Sequence, residues 1–466
     1  LSPRARTRLT AVIVACALFM QNLDSTVVAT ALPAMARGFN ADPLHMNVAL
    51  TSYLLALAVF IPASGWVADK YGTRTVFRAA IAVFTLGSIL CGAADTLWFL
   101  VFARVLQGLG GAMMVPVGRL VLLRTVPKSE LVGAMAWLST PAMIGPVVGP
   151  PLGGFIVTYF SWRWIFDINV PMGVLGILLV TLYVEDVREP EPDRFDGWGL
   201  LFSGVCLATL VFALETVGRG LVSPVMTAAA LTCGVVSAGL YFWHATHYLR
   251  PVIDFALMRY RSFRVAIIGG LLFRVGIGAI PFLLPLMLQL DFGYSALQSG
   301  LVTFASSAGA LVMKPGTTWA LRRMGFRDTL LVNGILSALL LALMAAFRPA
   351  WPIVAIYGAL LAGGFFRSLQ FTAYNALAYA EVPRNRVSAA TSFYQTMQQF
   401  STTLGVSIGA GSLELARIAG GHALPSLGDF SLAFLFVAVF SLAAAPLSLI
   451  MPRDAGNEIS GRHLRR

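Results

Sequence analysis

Stretches apolar enough to cross a bilayer recur from one end of the chain to the other and leave little room for anything else. A membrane helix needs about 20 consecutive apolar residues to cover roughly 30 Å of hydrocarbon. Such stretches fall at 10–35, 46–67, 76–94, 97–118, 131–160, 165–184, 197–216, 222–244, 264–289, 296–319, 329–347, 351–378, 388–414 and 429–451, about fourteen spans in all. Backbone amides in lipid must be satisfied within their own segment, so the spans are read as helices and the fold class as an all-α membrane protein. Composition agrees. The 466 residues are 58% hydrophobic and 12% charged, with a mean hydropathy of +0.78, and a soluble surface needs about twice that share of charge. A water-soluble enzyme is excluded.

Charge sets the orientation, because Lys and Arg favour the cytoplasmic side. They gather at both ends and in alternate connections: Arg4, Arg6 and Arg8; Lys70, Arg74 and Arg78; Arg119, Arg124 and Lys128; Arg188 and Arg194; Arg250, Arg259, Arg261 and Arg264; Arg322, Arg323 and Arg327; Arg384 and Arg386; Arg453, Arg462, Arg465 and Arg466. The opposite connections hold Arg37, Arg163, Arg219, Arg348 and Arg417. Both termini are therefore expected inside. No small-residue cleavage site follows the first apolar stretch, which is read as a retained helix. The net charge of +12 comes from basic residues scattered singly and in pairs without an aromatic-interleaved patch, so nucleic acid is not an expected partner. Cys16, Cys91, Cys206 and Cys233 lie far apart in apolar stretches and read as buried free thiols. His45, His244, His247, His422 and His463 fall in loops or at helix ends. Intramembrane hydrolysis needs His or paired acids within helices, so no enzyme, metal or cofactor is expected.

The longest polar connections, Glu185–Asp196 and Thr246–Arg264, bracket the seventh and eighth spans. The division they suggest is a six-helix bundle over 1–190, a two-helix insert over 191–250 and a second six-helix bundle over 251–466. An internal repeat supports it. The second span ends in Pro62-x-x-Gly65, then Asp69-Lys70-Tyr71-Gly72-Thr73-Arg74. The tenth ends in Lys314-Pro315-Gly316, then Arg322-Arg323-Met324-Gly325-Phe326-Arg327. Pro62, Gly72 and Arg74 correspond to Pro315, Gly325 and Arg327 at one offset. Two similar halves around a substrate path form a transporter arrangement.

The run Gly65-Trp66-Val67-Ala68-Asp69-Lys70-Tyr71-Gly72-Thr73-Arg74 resembles the loop 2–3 signature of the major facilitator superfamily. In that family the cluster, here Gly65, Asp69, Gly72 and Arg74, is a conformational latch; a solvated basic turn is the alternative. Leu100-x-x-x-Arg104-x-x-Gln107-Gly108-x-Gly110-Gly111 resembles its second signature. An arginine inside a membrane helix needs a partner in protein or water. Asp24 lies roughly 21 Å along the first span from the inner side, and Arg104 roughly 9–10 Å into the fourth from the outer side, at 1.5 Å per residue. In a core of about 30 Å the two are level. Asp24 and Arg104 are the expected proton-coupling pair, since burial and a neighbouring guanidinium act in opposition on a carboxyl group as a site opens and closes. A permanent ion pair or helix cap is the other reading.

The fifth span carries Gly145-Pro146-Val147-Val148-Gly149-Pro150-Pro151-Leu152-Gly153-Gly154, which resembles the antiporter signature of exporters in the superfamily. Its prolines are expected to kink the helix, and its small residues (Gly145, Gly149, Gly153, Gly154) to permit close contact around Pro146 and Pro150. Trp162-Arg163-Trp164-Ile165-Phe166-Asp167-Ile168-Asn169-Val170-Pro171 and Arg194-Phe195-Asp196-x-x-Gly199 are similar to runs of the fourteen-helix drug:proton antiporter family 2, where the position of Asp167 is usually apolar. The resemblance spans nearly the whole chain, with its sharp motifs in the first half. It implies the major facilitator fold and a proton-coupled exporter of multidrug-efflux type in the inner membrane of a bacterium. It further implies a monomer working on a small-molecule substrate and protons in contact with lipid, with any periplasmic accessory partner left open.

The second half is read from its polar residues. Arg274 lies deep in the ninth span and Lys314 in the tenth. Arg367, Gln370 and Tyr374 share one face of the twelfth, and Gln395 and Gln398 lie in a polar stripe on the thirteenth. With Gln107, these are the expected substrate-cavity residues. Asp291, Glu381 and Glu414 sit near helix ends, so three buried cations face no buried acid. The expected substrate is an organic anion or acidic amphiphile. A cationic multidrug pump, an importer of the same fold, and purely structural roles for Arg367 or Lys314 are the alternatives.

Overall fold

The computed structural model describes residues 3–125, 131–186, 188, 195–216, 223–248, 251–383 and 386–452. Lys128, Arg194, Arg219, Arg250, Arg384 and the basic residues after 452 lie outside them. In chain order the helices are α1 (Pro3–Phe39), α2 (Val48–Phe60), α3 (Ser64–Tyr71), α4 (Thr73–Gly92), α5 (Leu97–Thr125), α6 (Leu131–Tyr159), α7 (Trp164–Asp167), α8 (Asn169–Tyr183) and α9 (Gly197–Thr216). They continue with α10 (Pro224–His247), α11 (Arg261–Gly278), α12 (Ile280–Leu290), α13 (Ala296–Met313), α14 (Thr317–Leu343), α15 (Ile353–Leu377), α16 (Val387–Gly420) and α17 (Leu427–Ala443). Among the described residues there is no strand. Twelve helical segments among those residues are long and apolar enough to cross a membrane, and α6 is apolar over Ile144–Tyr159. α16 has the length, at 34 residues, but carries Thr391, Gln395, Gln398 and Thr402 among its apolar residues. With α6 and α16 every expected span is a helix.

The chain divides into two compact units, Leu1–Gly204 with Ser295–Gly300, and Val205–Tyr294 with Leu301–Arg466. The first unit packs Val14, Leu18, Tyr53, Phe77, Phe84, Val117 and Val121 into one core. The second buries Phe263, Phe273, Phe282, Phe326 and Phe434. α10 is the least covered span, with Val225, Val235, Val236, Phe242 and Trp243 exposed, as suits a helix that borders lipid. Cys16 and Cys233 are exposed and Cys206 partly so; only Cys91 is buried, and all four are free. The expectation of four buried thiols is therefore corrected. In a bilayer an apolar stretch can face lipid as readily as core, and hydropathy does not separate the two.

The repeat extends into backbone conformation. Pro62 lies in a 3-10 turn over Ile61–Ala63, and Pro315 in one over Lys314–Gly316. A helical stretch follows each and ends at a glycine in the left-handed region, Gly72 (φ 92) and Gly325 (φ 78), where only a residue without Cβ sits unstrained. The basic connection around 322–327 is correspondingly tight: two helical stretches meet at a kink at Gly325, within the span given as α14.

α6 stays helical through Pro146, Pro150 and Pro151. Prolines are tolerated in membrane helices where neighbours re-satisfy the freed backbone groups. Its glycines form a seam with α1. A methyl group at Gly145 would stand 3.1 Å from Asn22 Cβ, one at Gly149 2.0 Å from Thr26 Oγ1, and one at Gly153 2.5 Å from Thr30 Oγ1. Gly154, one residue round, lies against the backbone of Ala296 and Leu297, which joins Ser295–Gly300 to the first unit.

Candidate functional site

The α6 seam presses on the helix that carries Asp24. Asp24 on α1 is the centre of a network that draws side chains from α2, α4, α5 and α8. Arg104 Nη1 on α5 donates to Asp24 Oδ2 at 2.7 Å. Gln107 Nε2, one turn further, and Asn169 Nδ2 at the start of α8 donate to Asp24 Oδ1 at 2.8 and 3.0 Å. Gln107 Oε1 accepts from Arg104 Nη1 at 2.6 Å, and Arg104 Nε reaches the Ala49 carbonyl of α2 at 2.9 Å. Ser88 on α4 accepts from Gln107 and Asn169 and donates to the Phe166 carbonyl. The Tyr53 ring lies 4.3 Å from the Arg104 guanidinium carbon. The side chains of Asp24 and Arg104 are 0% exposed. A charge pair out of water is held only where further hydrogen bonds satisfy its remaining valences. The carboxylate has that support, while Arg104 Nη2 and Tyr53 Oη lack partners. Gln107, expected in the substrate cavity, lies inside this network. Asn169 and Ser88 join a site the sequence did not assign to them.

The tryptophan-rich run explains itself around this network. Trp162 packs on Phe39 with ring centroids 5.2 Å apart, at the end of α1. Arg163 closes the end of α4 through the Ala94 carbonyl at 2.8 Å and Asp95 at 2.7 Å. Asp167 lies against Gly92, where a methyl group would stand 2.7 Å from its Oδ1. Phe166 and Asn169 then enter the network itself.

At the latch motif, Gly72 brings the start of α4 onto Asp186, whose Oδ1 accepts from Arg74 N at 3.1 Å and Thr75 N at 3.5 Å. A carboxylate there satisfies orphan amides at the positive end of the helix. Asp69 is partly buried in the last turn of α3, and Gly65 has open space where its Cβ would be. Close packing is therefore not what Gly65 supplies. Trp66 stacks on Phe195 at 4.5 Å, and Asp196 Oδ1 accepts from Gly199 N at 2.8 Å to cap α9.

In the second unit, Arg274 is 2% exposed. It donates to the Tyr394 hydroxyl and lies 5.3 Å from the Phe371 ring and 5.0 Å from that of Tyr394. Arg367 Nη2 donates to Ser306 Oγ at 2.5 Å. Lys314, half-buried, donates to Thr372 at 3.2 Å. Gln370 is buried and ties α15 to α14, donating to the Leu330 carbonyl at 3.1 Å and accepting from Asn333 at 2.8 Å. Tyr374 is buried beside Phe273. Gln395 and Gln398 are partly exposed on α16.

Paired helical repeats with broken helices, and charge buried inside spanning segments, define a polytopic secondary transporter. The chain belongs to the Major Facilitator Superfamily, whose sequence pattern matches residues 14–406 and again 266–463. It is 40% identical over 428 residues to a Pectobacterium carotovorum protein named "Putative multidrug resistance protein MdtD", covering 91% of this chain and 90% of that one. It is 38% identical over 454 residues to an Escherichia coli protein of the same name, covering 96% and 95%. Among solved structures it is similar to the nucleoside transporter NupG, with TM-score 0.69 and 14% identity over 95% of this chain and 99% of that one. It is also similar to a POT family transporter bound to 5-aminolevulinic acid, with TM-score 0.69 and 15% identity over 97% and 96%. At such identities the likeness is one of fold.

Proposed function

We propose that this chain is a proton-driven exporter of small organic molecules in the inner membrane of a bacterium. It works as a monomer with both termini in the cytoplasm, as bundles over 1–190 and 251–466 with an insert over 191–250. The observation that supports this reading best is the Asp24 carboxylate, buried on the helix against which the exporter-type glycine seam packs. Arg104, Gln107 and Asn169 satisfy it as an anion. Adding a proton would leave Arg104 as an uncompensated buried cation, which is costly, so protonation has to be accompanied by rearrangement around α1, α5 and α8. A carboxyl group whose proton affinity differs between two conformations biases the equilibrium between them. In the cycle, a proton from outside loads Asp24, cargo held in the second unit leaves outward, and the return to the inward state frees the proton to the cytoplasm. Gly65, Asp69, Gly72 and Arg74 act as the latch, with Asp186 fixing the start of α4. The names of the relatives support drug-like cargo and the direction of transport.

The test is gradient-driven export in inside-out vesicles, comparing the unmodified chain with Asp24→Asn for ethidium and for radiolabelled benzoate. The amide keeps the volume and removes the titration. Loss of the pH-gradient dependence at unchanged protein level is the expected result. Undiminished coupling in Asp24→Asn overturns the proposal.

A further inference from the structure

The two deep arginines of the second unit share a device. Each follows a glycine by four residues: Gly270 and Arg274 on α11, Gly363 and Arg367 on α15. Helical side chains lean back toward the N-terminus, over the residue one turn earlier, and each guanidinium occupies the hollow its glycine leaves. A methyl group at Gly270 would stand 2.6 Å from Arg274 Nη1, and one at Gly363 2.8 Å from Arg367 Nη1. Arg104 in the first unit is the contrast, with Leu100 one turn earlier and Asp24 as its carboxylate. Among the described residues, Arg274 and Arg367 hydrogen-bond to hydroxyls, those of Tyr394 and Ser306. Arg274 Nε and Arg367 Nη1 are buried with no partner at all. A buried cation left without an anion is costly, and two such cations held in matching notches are disposed to take an anionic partner.

We propose that these notches form a carboxylate-binding site for a small organic anion with one or two carboxylates on an apolar or aromatic body. α15 links them: Phe371, which packs on Arg274, lies one turn beyond Arg367, about 6 Å along the helix axis. Guanidinium edges take carboxylates in a forked geometry, and the Tyr394 and Ser306 hydroxyls can turn to serve the same oxygens. Phe371 and Tyr394 flank the guanidinium with ring faces that suit an apolar ligand body. Gly270 and Gly363 are positioning residues, since a side chain there would displace the charge without removing it. The inference names the cargo class of the exporter proposed above and rests on that reading.

Binding, measured apart from transport, tests it. The full chain in lipid nanodiscs is dialysed against radiolabelled benzoate or succinate, with ethidium fluorescence in parallel. At least one carboxylate is expected to bind saturably. Arg274→Gln and Arg367→Gln should each weaken it by at least about tenfold, the worth of a charge-assisted bond. Gly270→Ala should weaken it with both charges intact, and should add nothing further in an Arg274→Gln background, which marks action through the guanidinium rather than on folding. If a Gln variant fails to fold, Arg274→Lys and Arg367→Lys keep the charge but lose the fork, and weaker carboxylate binding is again expected. Failure of both carboxylates to bind, equal binding in all variants, or ethidium binding that is lost with the arginines overturns the inference. Carboxylate binding without gradient-driven export removes the exporter reading and leaves the site. Gradient-driven ethidium export with no carboxylate binding does the reverse.

Discussion

A carboxyl group at the end of α12 links the stability of the second unit to pH. Asp291 lies just past the spanning segment, and its Oδ2 is buried with no partner. Burial, with the charge of Asp429 adding to it, pushes its pKa from 3.8 up to about 6. Asp429 is itself held by Ser426 and His422, so it stays as a fixed negative neighbour. Between pH 3.8 and about 6 the folded chain retains a proton the unfolded chain has lost. Stability therefore falls as pH rises through that window and stays lower above it. Asp291→Asn should remove this slope and stabilise the protein at neutral pH by about 1 kcal/mol once solvent screening is allowed for. Thermal unfolding in detergent at pH values on either side of the window reads the difference. At the same scale, Asp24 and Arg104 were legible because charge in a membrane helix is rare and its depth can be counted along the chain. Ser88 and Asn169 were not, since neutral polar residues carry no such penalty and show no periodicity. Asp186 was hidden in a polar connector where one acid looks like another. The glycines before Arg274 and Arg367 stood in plain view, but only the geometry shows that the hollow they leave is used.

At the scale of elements, glycine spacing decides which helices touch. Gly145, Gly149 and Gly153 recur every four residues on α6 and meet Asn22, Thr26 and Thr30 with the same period on α1. Small residues let helix backbones approach closely in a membrane, and this approach holds α1, and so Asp24, in place. Gly149→Ala sets a methyl group 2.0 Å from Thr26 Oγ1, so the seam must open. A cost of about 1–3 kcal/mol is expected, as for overpacking elsewhere. Thr26→Gly, introduced with it, removes both the oxygen and the Cβ, the latter at 2.8 Å, and should restore part of the lost melting temperature and transport. Equal loss in the single and double variants would show that the seam is not where the strain arises. The spans themselves were legible from hydropathy. The seam between α6 and α1 was not, because which helix a run of glycines meets is set by three-dimensional context.

Across the whole molecule, the same helical framework recurs at 14% identity in a nucleoside transporter, so the residues that distinguish this chain's chemistry are few. They fall in different units: a carboxylate paired with an arginine in the first, and arginines with hydroxyl rather than carboxylate partners in the second. A framework shared by many carriers leaves function to such sites. In the proposed cycle the first unit carries the proton and the second the cargo, so that Asp24 gains and loses a proton during turnover. Infrared difference spectroscopy of the full chain in lipid bilayers, acidified stepwise, reads that proton. A carbonyl stretch from a newly protonated buried carboxyl group is expected in the unmodified chain and not in Asp24→Asn. The same band in both proteins, or in neither, would contradict the proposed cycle.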